Sequence, residues 1–489
     1  MKIRLLGRFH ACGSGMAVAV TPSAGVMPRI QGSNASGRVP DGIVAAVLAL
    51  AIAGTAGSSM RVYARHLADR HLARVTTRDV PFKYQTLTFQ RAALASGRVL
   101  PIYGSSELFC CGQPFLPTEV FGSRPTGFGV LALGRPGTAD LFFAQTFAAL
   151  RRDLRGRRLV ISDSPGWFSS RRGPGPHQYG SNFLPEAAYA FVFDVSVPRS
   201  LRRIGARRML AYPQTLRDEP LLQHAVEDLA HPTWFNGASY AALVPLGRVA
   251  TWALEVRDAT RTAAFLWQAS SRPLVGPPWP PRLDWAQMAA GGTRVADAES
   301  TTNPFGLTDE SYRSLRQRPK FRDAFALYDS GRTNRDGDVF APPRGWERNV
   351  SRSREWVDLR LALRVLRAAG ARPLVWTLPL PGAFYDYTVF SAPVRRRYYE
   401  RFARTAEVAG VAGLDFRAYD EDPGFVSDLS SHLSARGWVF ADRALDVFWH
   451  AGSADDIRAA LATLDAACPR RELPRELADA GPQPAPAAD

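Results

Sequence analysis

Apolar residues fall along this chain in three kinds of pattern. The first is an unbroken run: residues 42–60, GIVAAVLALAIAGTAGSSM, hold no charged side chain. At about 1.5 Å of rise per residue, such a run has the minimum length for crossing a hydrocarbon core of about 30 Å. It is read as a transmembrane helix. A cleaved signal is the second reading, because A-x-A steps such as Ala51-Ile52-Ala53 occur in it, and a buried core helix is the third. The second pattern is an alternation of short apolar runs with helical periodicity. Residues 99–103, 128–133, 159–161, 373–378 and 411–416 read as strands. Helices are predicted over 140–154, from Trp356 through Leu359, Leu363 and Leu366 with Ser353 as N-cap, over 394–408, and last over 434–447. The third pattern is irregularity. Residues 169–351 are broken by the proline cluster 277–281 and the polar stretch 331–345 into what reads as loops and short helices.

Strands alternating with helices predict an α/β fold, a parallel sheet covered on both faces. Ligands in such sheets bind beyond the carboxyl ends of the strands. The insertion 169–351 leaves the strand series intact and is expected to form a lid or second lobe. The chain then divides into a basic segment 1–41, an anchor 42–60, a catalytic domain 80–460 containing the insertion, and a tail 469–489. That tail ends PQPAPAAD and is expected to be disordered.

Composition and charge narrow the function. With 489 residues, 46% of them hydrophobic, the chain can build a real core. The net charge of +16 points first to a polyanionic partner. No RNA-recognition or zinc-finger pattern accompanies the basic runs, so nucleic acid is not expected. Residues 1–78 hold ten basic and two acidic side chains, which places half of the excess beside the apolar run, where anionic lipid headgroups are the nearest partner. Arg61, Arg65, Arg70, Arg74 and Arg78 follow that run, a bias that would by itself keep the C-terminal part on the cytoplasmic side. Cys12, Cys110, Cys111 and Cys468 form no C-x-x-C pair, so they read as free thiols. The eight histidines include no H-E-x-x-H, and neither a metal nor a cofactor is expected.

Three segments carry candidate chemistry. In Tyr103-Gly104-Ser105-Ser106-Glu107, a serine sits in a turn from strand to helix, where a helix N-terminus favours developing negative charge. The plainer reading is a helix cap followed by an acid in the first turn. In Ser427-Asp428-Leu429-Ser430-Ser431-His432, one loop after the last strand carries a carboxylate and an imidazole, the orienting acid and base that a serine requires. Its plainer reading is a surface loop. In Gly134-Arg135-Pro136-Gly137-Thr138, backbone N–H groups are available to an oxyanion. All three lie at corresponding ends of the predicted sheet.

The blocks LPIYGSSEL (100–108), LGRPGTADL (133–141), ISDSPGWF (161–168), TTNPFGLTD (301–309), LRAAGARPLVWTLP (366–379) and SDLSSHLSARGWVFAD (427–442) resemble, in order and in kind, the DltD family of D-alanyl-lipoteichoic acid biosynthesis proteins. The resemblance covers about residues 80–455. It implies a three-layer, SGNH-hydrolase-like (flavodoxin-like) parallel sheet with a large insertion, preceded by one N-terminal transmembrane helix. Ser106 matches the family's nucleophile, His432 its base, and Gly137 the glycine whose N–H, with that of Ser106, makes the oxyanion hole. Asp428 stands as the acid, although Asp428-x-x-x-His432 departs from the family's usual D-x-x-H. The asparagine that wider SGNH hydrolases carry after the third strand is not evident; Ser164-Pro165-Gly166 stands there. The resemblance implies an anchored, extracytoplasmic D-alanyl transferase acting on an envelope polymer or glycolipid. Its implied partners are the membrane, a membrane-bound O-acyltransferase and a D-alanyl carrier. An esterase or thioesterase using the same triad, and a non-catalytic partner of the acylation machinery, are the alternatives.

Overall fold

Runs of Val, Leu and Ile too short for a stable helix are driven into strands that bury both faces, and five of them do so here. The computed structural model describes residues 41–76, 86–109, 114–270, 282–301, 303–332, 350–388 and 390–469. The strands are β1 (Val99–Gly104), β2 (Gly129–Gly134), β3 (Arg158–Asp163), β4 (Arg372–Thr377) and β5 (Ala412–Asp415). All pairings are parallel, in the order β2-β1-β3-β4-β5. Each predicted strand is present, shifted by a residue or two.

The principal helices are α1 (Asp41–Thr76), α2 (Leu87–Ser96), α3 (Asp140–Ala149), α4 (Pro176–Asn182), α5 (Pro185–Phe193), α6 (Trp234–Ser270), α7 (Trp285–Glu299), α8 (Glu355–Ala369), α9 (Ala392–Ala409), α10 (Ala435–His450) and α11 (Ala454–Ala467). Alternate strand residues feed two separate cores. Val99, Tyr103, Leu131, Ile161 and Val375 pack with α3, α8 and α9 on one face. Leu100, Ile102, Val130, Val160 and Trp376 pack with α7, α10 and α11 on the other. This is the expected three-layer architecture.

The N-terminal unit, residues 1–53, is described from Asp41 onward as helix. Its Val47, Leu48, Leu50 and Ile52 are all exposed. Over Gly42–Leu72 the helix is long and apolar enough to cross a membrane, and only 6% of its apolar window is buried, which is not the burial of a core helix. Residues 1–40, the proline cluster within 271–281, most of the polar stretch 331–345, and 470–489 lie outside the described residues, as do Cys12, Cys110 and Cys111.

Several sequence expectations need correction. The insertion 169–351 is chiefly helical and contains the 37-residue α6. Instead of standing apart as a lobe, it enlarges both cores: Tyr179, Phe191 and Leu222 join the first, and Met288, Phe305 and Phe325 the second. Buried Asp258 of α6 accepts hydrogen bonds from Leu87 N (3.1 Å), Thr88 N (2.8 Å) and Thr88 Oγ1 (2.6 Å), satisfying orphan donors at the start of α2. The helix expected over 140–154 ends at Ala149, because the chain turns there, with Leu154 N bonded to Leu150 O. The N-cap of α8 is Arg354; Ser353 Oγ instead bridges Ser170 O and Glu355 N. Helix α10 is not the last, since α11 follows it, capped by Ser453.

Candidate active site

Gly104 closes β1, and Ser105 and Ser106 follow at the carboxyl edge of the sheet. The helix expected behind them is a single 3-10 turn, Ser106–Leu108, so little helix dipole acts on the serine. What holds the turn is Glu107, whose Oε1 accepts from Ser105 N at 2.7 Å. Glu107 is fully buried, not a solvated first-turn acid. Burial pushes its carboxyl up, opposed by the backbone N–H groups of Ser105 and Glu107 and by the charge of His432. A Cβ on Gly134 would lie 2.4 Å from Gly104 O, so glycine is required there for β2 to pass this turn.

His432 is supplied by a loop closed on itself. Val426 and Leu433 form an isolated antiparallel bridge, and Ser427 N donates to His432 O at 2.8 Å. Asp428 Oδ1 accepts from Ser430 N at 2.7 Å and from His432 N at 3.4 Å. The four-residue spacing from Asp428 to His432 closes because Ser431 takes φ 60°, an unusual conformation for a side chain with a Cβ. Fully buried Ser431 receives a 3.3 Å hydrogen bond from Ser164, just past β3. The segment where the expected asparagine is missing thus braces the histidine loop.

Ser106 Oγ lies 2.9 Å from His432 Nε2, and His432 Nδ1 lies 2.6 Å from Asp428 Oδ2. The carboxylate only accepts, so Nδ1 carries the proton and Nε2 presents its lone pair to the serine hydroxyl. Burial lowers the imidazole pKa, but the hydrogen bond and charge of Asp428, with the charge of Glu107, outweigh it and leave it above the usual histidine value. Ser105 is 2% exposed and Ser106 half-buried, so of the two hydroxyls the second meets incoming molecules.

Gly137 sits at φ 87° in the loop between β2 and α3, a conformation natural only to glycine. Its N–H donates to Ser105 Oγ at 3.1 Å, and that hydroxyl donates to Arg135 O at 3.1 Å. The amide predicted for an oxyanion is therefore close to the serine turn and engaged by Ser105. Behind it stands Asn182 of α4, buried, with Nδ2 on Pro136 O at 3.2 Å and Oδ1 within 3.2 Å of Thr138 Oγ1. Asn182 had no sequence signal, because it lies in the irregular insertion.

Beneath the site is a group of buried carboxyls. Asp163 ends β3, Asp140 opens α3, and Glu355 and Asp358 lie in the first turn of α8. Glu355 Oε1 accepts from Asp140 N at 2.9 Å, and Arg208 clasps Asp358 at 2.7 and 2.8 Å. Burial first, and mutual repulsion second, push Asp140 and Asp163 well above the carboxylate range. Among the described residues, no three His, Cys, Asp or Glu side chains are arranged to hold a metal ion.

A parallel sheet in this order, with helices on both faces and polar side chains gathered at its carboxyl edge, defines an SGNH-hydrolase-like α/β protein. The chain belongs to the DltD family, whose profile, described as DltD protein, matches residues 76–450. That family takes part in D-alanylation of teichoic acids. The chain is 25% identical to Protein DltD of Bacillus subtilis (strain 168) over 392 residues, covering 79% of this chain and 91% of the relative. It is 24% identical to Protein DltD of Staphylococcus aureus (strain NCTC 8325 / PS 47) over 351 residues, covering 72% of this chain and 81% of the relative.

Proposed function

We propose that the protein is a membrane-anchored, extracytoplasmic D-alanyl transferase that acylates a cell-envelope polymer such as teichoic acid through a seryl ester. The observation that carries this reading is the continuous relay from Ser106 Oγ to His432 Nε2 at 2.9 Å and from His432 Nδ1 to Asp428 Oδ2 at 2.6 Å. In the first step Ser106 Oγ attacks the carbonyl carbon of an activated D-alanyl donor while its proton passes to His432 Nε2. The imidazolium, held in orientation by Asp428, returns that proton to the leaving group as the tetrahedral intermediate collapses. In the second step an acceptor hydroxyl loses its proton to the same nitrogen and attacks the ester, and Ser106 recovers the proton as it leaves. The Gly137 and Ser106 N–H groups serve the oxyanion, with Ser105 yielding Gly137 as negative charge develops.

Membrane attachment is assigned to residues 42–60, with residues 80–460 as the catalytic domain and residues 169–351 as its insertion. A membrane-bound O-acyltransferase and a D-alanyl carrier are the proposed partners. The reading is tested with a serine-directed fluorophosphonate and a radiolabelled D-alanyl donor. Wild type and Ser105→Ala form the covalent adduct, Ser106→Ala does not, and the label passes to a teichoic acid acceptor. An adduct lost only in Ser105→Ala refutes the choice of serine. Free D-alanine without labelled acceptor marks an esterase, and no reaction at all marks a non-catalytic partner.

A further inference from the structure

Helix α6 packs against α1 in a regular register. The Trp252 ring lies against Gly57, Glu255 pairs with Arg61 at 2.7 Å, and Ala259 and Ala263 pack with Ala64. Residue numbers rise together along both helices, so they run parallel. The part of α6 before Trp252 therefore continues on the N-terminal side of that contact. From Trp234 to Gly247 it holds 14 residues without a charge. Its outward side is apolar: Trp234 is 87% exposed, Phe235 71%, Leu246 57% and Val249 62%. At roughly 20 Å this stretch is too short to span a bilayer and long enough to lie in its interface.

Next to it is a cleft of about 650 Å³ lined by six arginines and three carboxylates. Glu255 pairs with Arg61 and Arg91, and Asp153 with Arg65 and Arg91, which fixes those arginines in place. Arg152 and Arg248, both exposed on the rim, have no ion-pair partner among the described residues. Arg61 is also the first charged residue after the uncharged run 42–60. An exposed aromatic-tipped helix beside a net-positive cleft, both in register with the residues that follow a membrane span, is the chemistry that fits acyl chains beside phosphate headgroups.

We propose that the first half of α6 and this arginine cleft form a membrane-docking face, with Trp234 and Phe235 immersed in the bilayer and the phosphate of an anionic phospholipid held by Arg152 and Arg248. The proposal rests on residues 42–60 being a membrane span, and is independent of acyl transfer. The full chain is reconstituted in phosphatidylglycerol vesicles whose acyl chains carry bromine. The emission difference between wild type and Trp234→Phe isolates the Trp234 signal. Bromine quenches that signal by about twofold or more, equally in Ser106→Ala. Phosphatidylglycerol co-purifying with the chain falls about tenfold in Arg152→Ala/Arg248→Ala, and no such preference exists for phosphatidylcholine. Vesicle-bound chain with unquenched Trp234 overturns the docking face while leaving the anchor intact. So does lipid displaced by inorganic phosphate alone, or α6 cross-linked to a second copy or another protein. A chain that does not float with vesicles overturns both.

Discussion

His432 carries opposing influences whose balance sets a measurable pH. It works as a base only when neutral, and Asp428 and Glu107 hold its pKa above the ordinary value of about 6.5 against the effect of burial. Adduct formation should therefore rise with pH, with a midpoint above that value, as the imidazolium loses its proton. In Asp428→Asn the raising influence is gone. The midpoint should move to lower pH, and the plateau should fall about 10²- to 10⁴-fold as the ring loses its tautomer control. A pH profile of fluorophosphonate labelling measures both, and an unmoved midpoint would show that Asp428 does not act on the imidazole. Ser106, His432 and Asp428 were legible because their residue types, in these loops, match a family pattern. Glu107 and Glu355 were not, because an acid in a first helical turn looks the same in sequence whether solvated or buried.

At the scale of elements, the strands were legible because each is buried on both faces and so reads as a plain apolar run. Helix α6 was not. It buries one side against α1, α2 and α5, leaves apolar residues on the other, and contains Pro245, so no sustained period marks it. Its Asp258 is held in a buried position, with its carboxyl pushed up to about 6 by desolvation. Asp258→Ala would leave the N–H groups of Leu87 and Thr88 without acceptors in a site water does not reach. The expected cost is about 1–3 kcal/mol, read as a lowered urea midpoint of the detergent-solubilised chain. A midpoint equal to wild type would mean that the start of α2 does not depend on α6.

For the molecule as a whole, the buried carboxyls make stability depend on pH. Burial and the charge of Asp358 push Glu355 up to about 8 from 4.5, so the folded protein binds protons that the unfolded chain has released. That stabilisation is present below about pH 4.5 and is lost as pH rises through about 8. Thermal midpoints should accordingly be lower at pH 8 than at pH 5. Glu355→Gln, which keeps an acceptor for Asp140 N, should narrow that difference, and an unchanged difference would place the pH dependence elsewhere. The hydrogen bond between Ser106 and His432 joins positions 326 residues apart. Synthesis proceeds from the N-terminus, so the serine emerges long before its base exists. Until α10 has docked, Ser106 is an ordinary alcohol, and a truncated or half-made chain cannot cleave esters in the envelope it is entering. Competence is thereby a certificate of completed folding, issued by the last part of the chain to arrive.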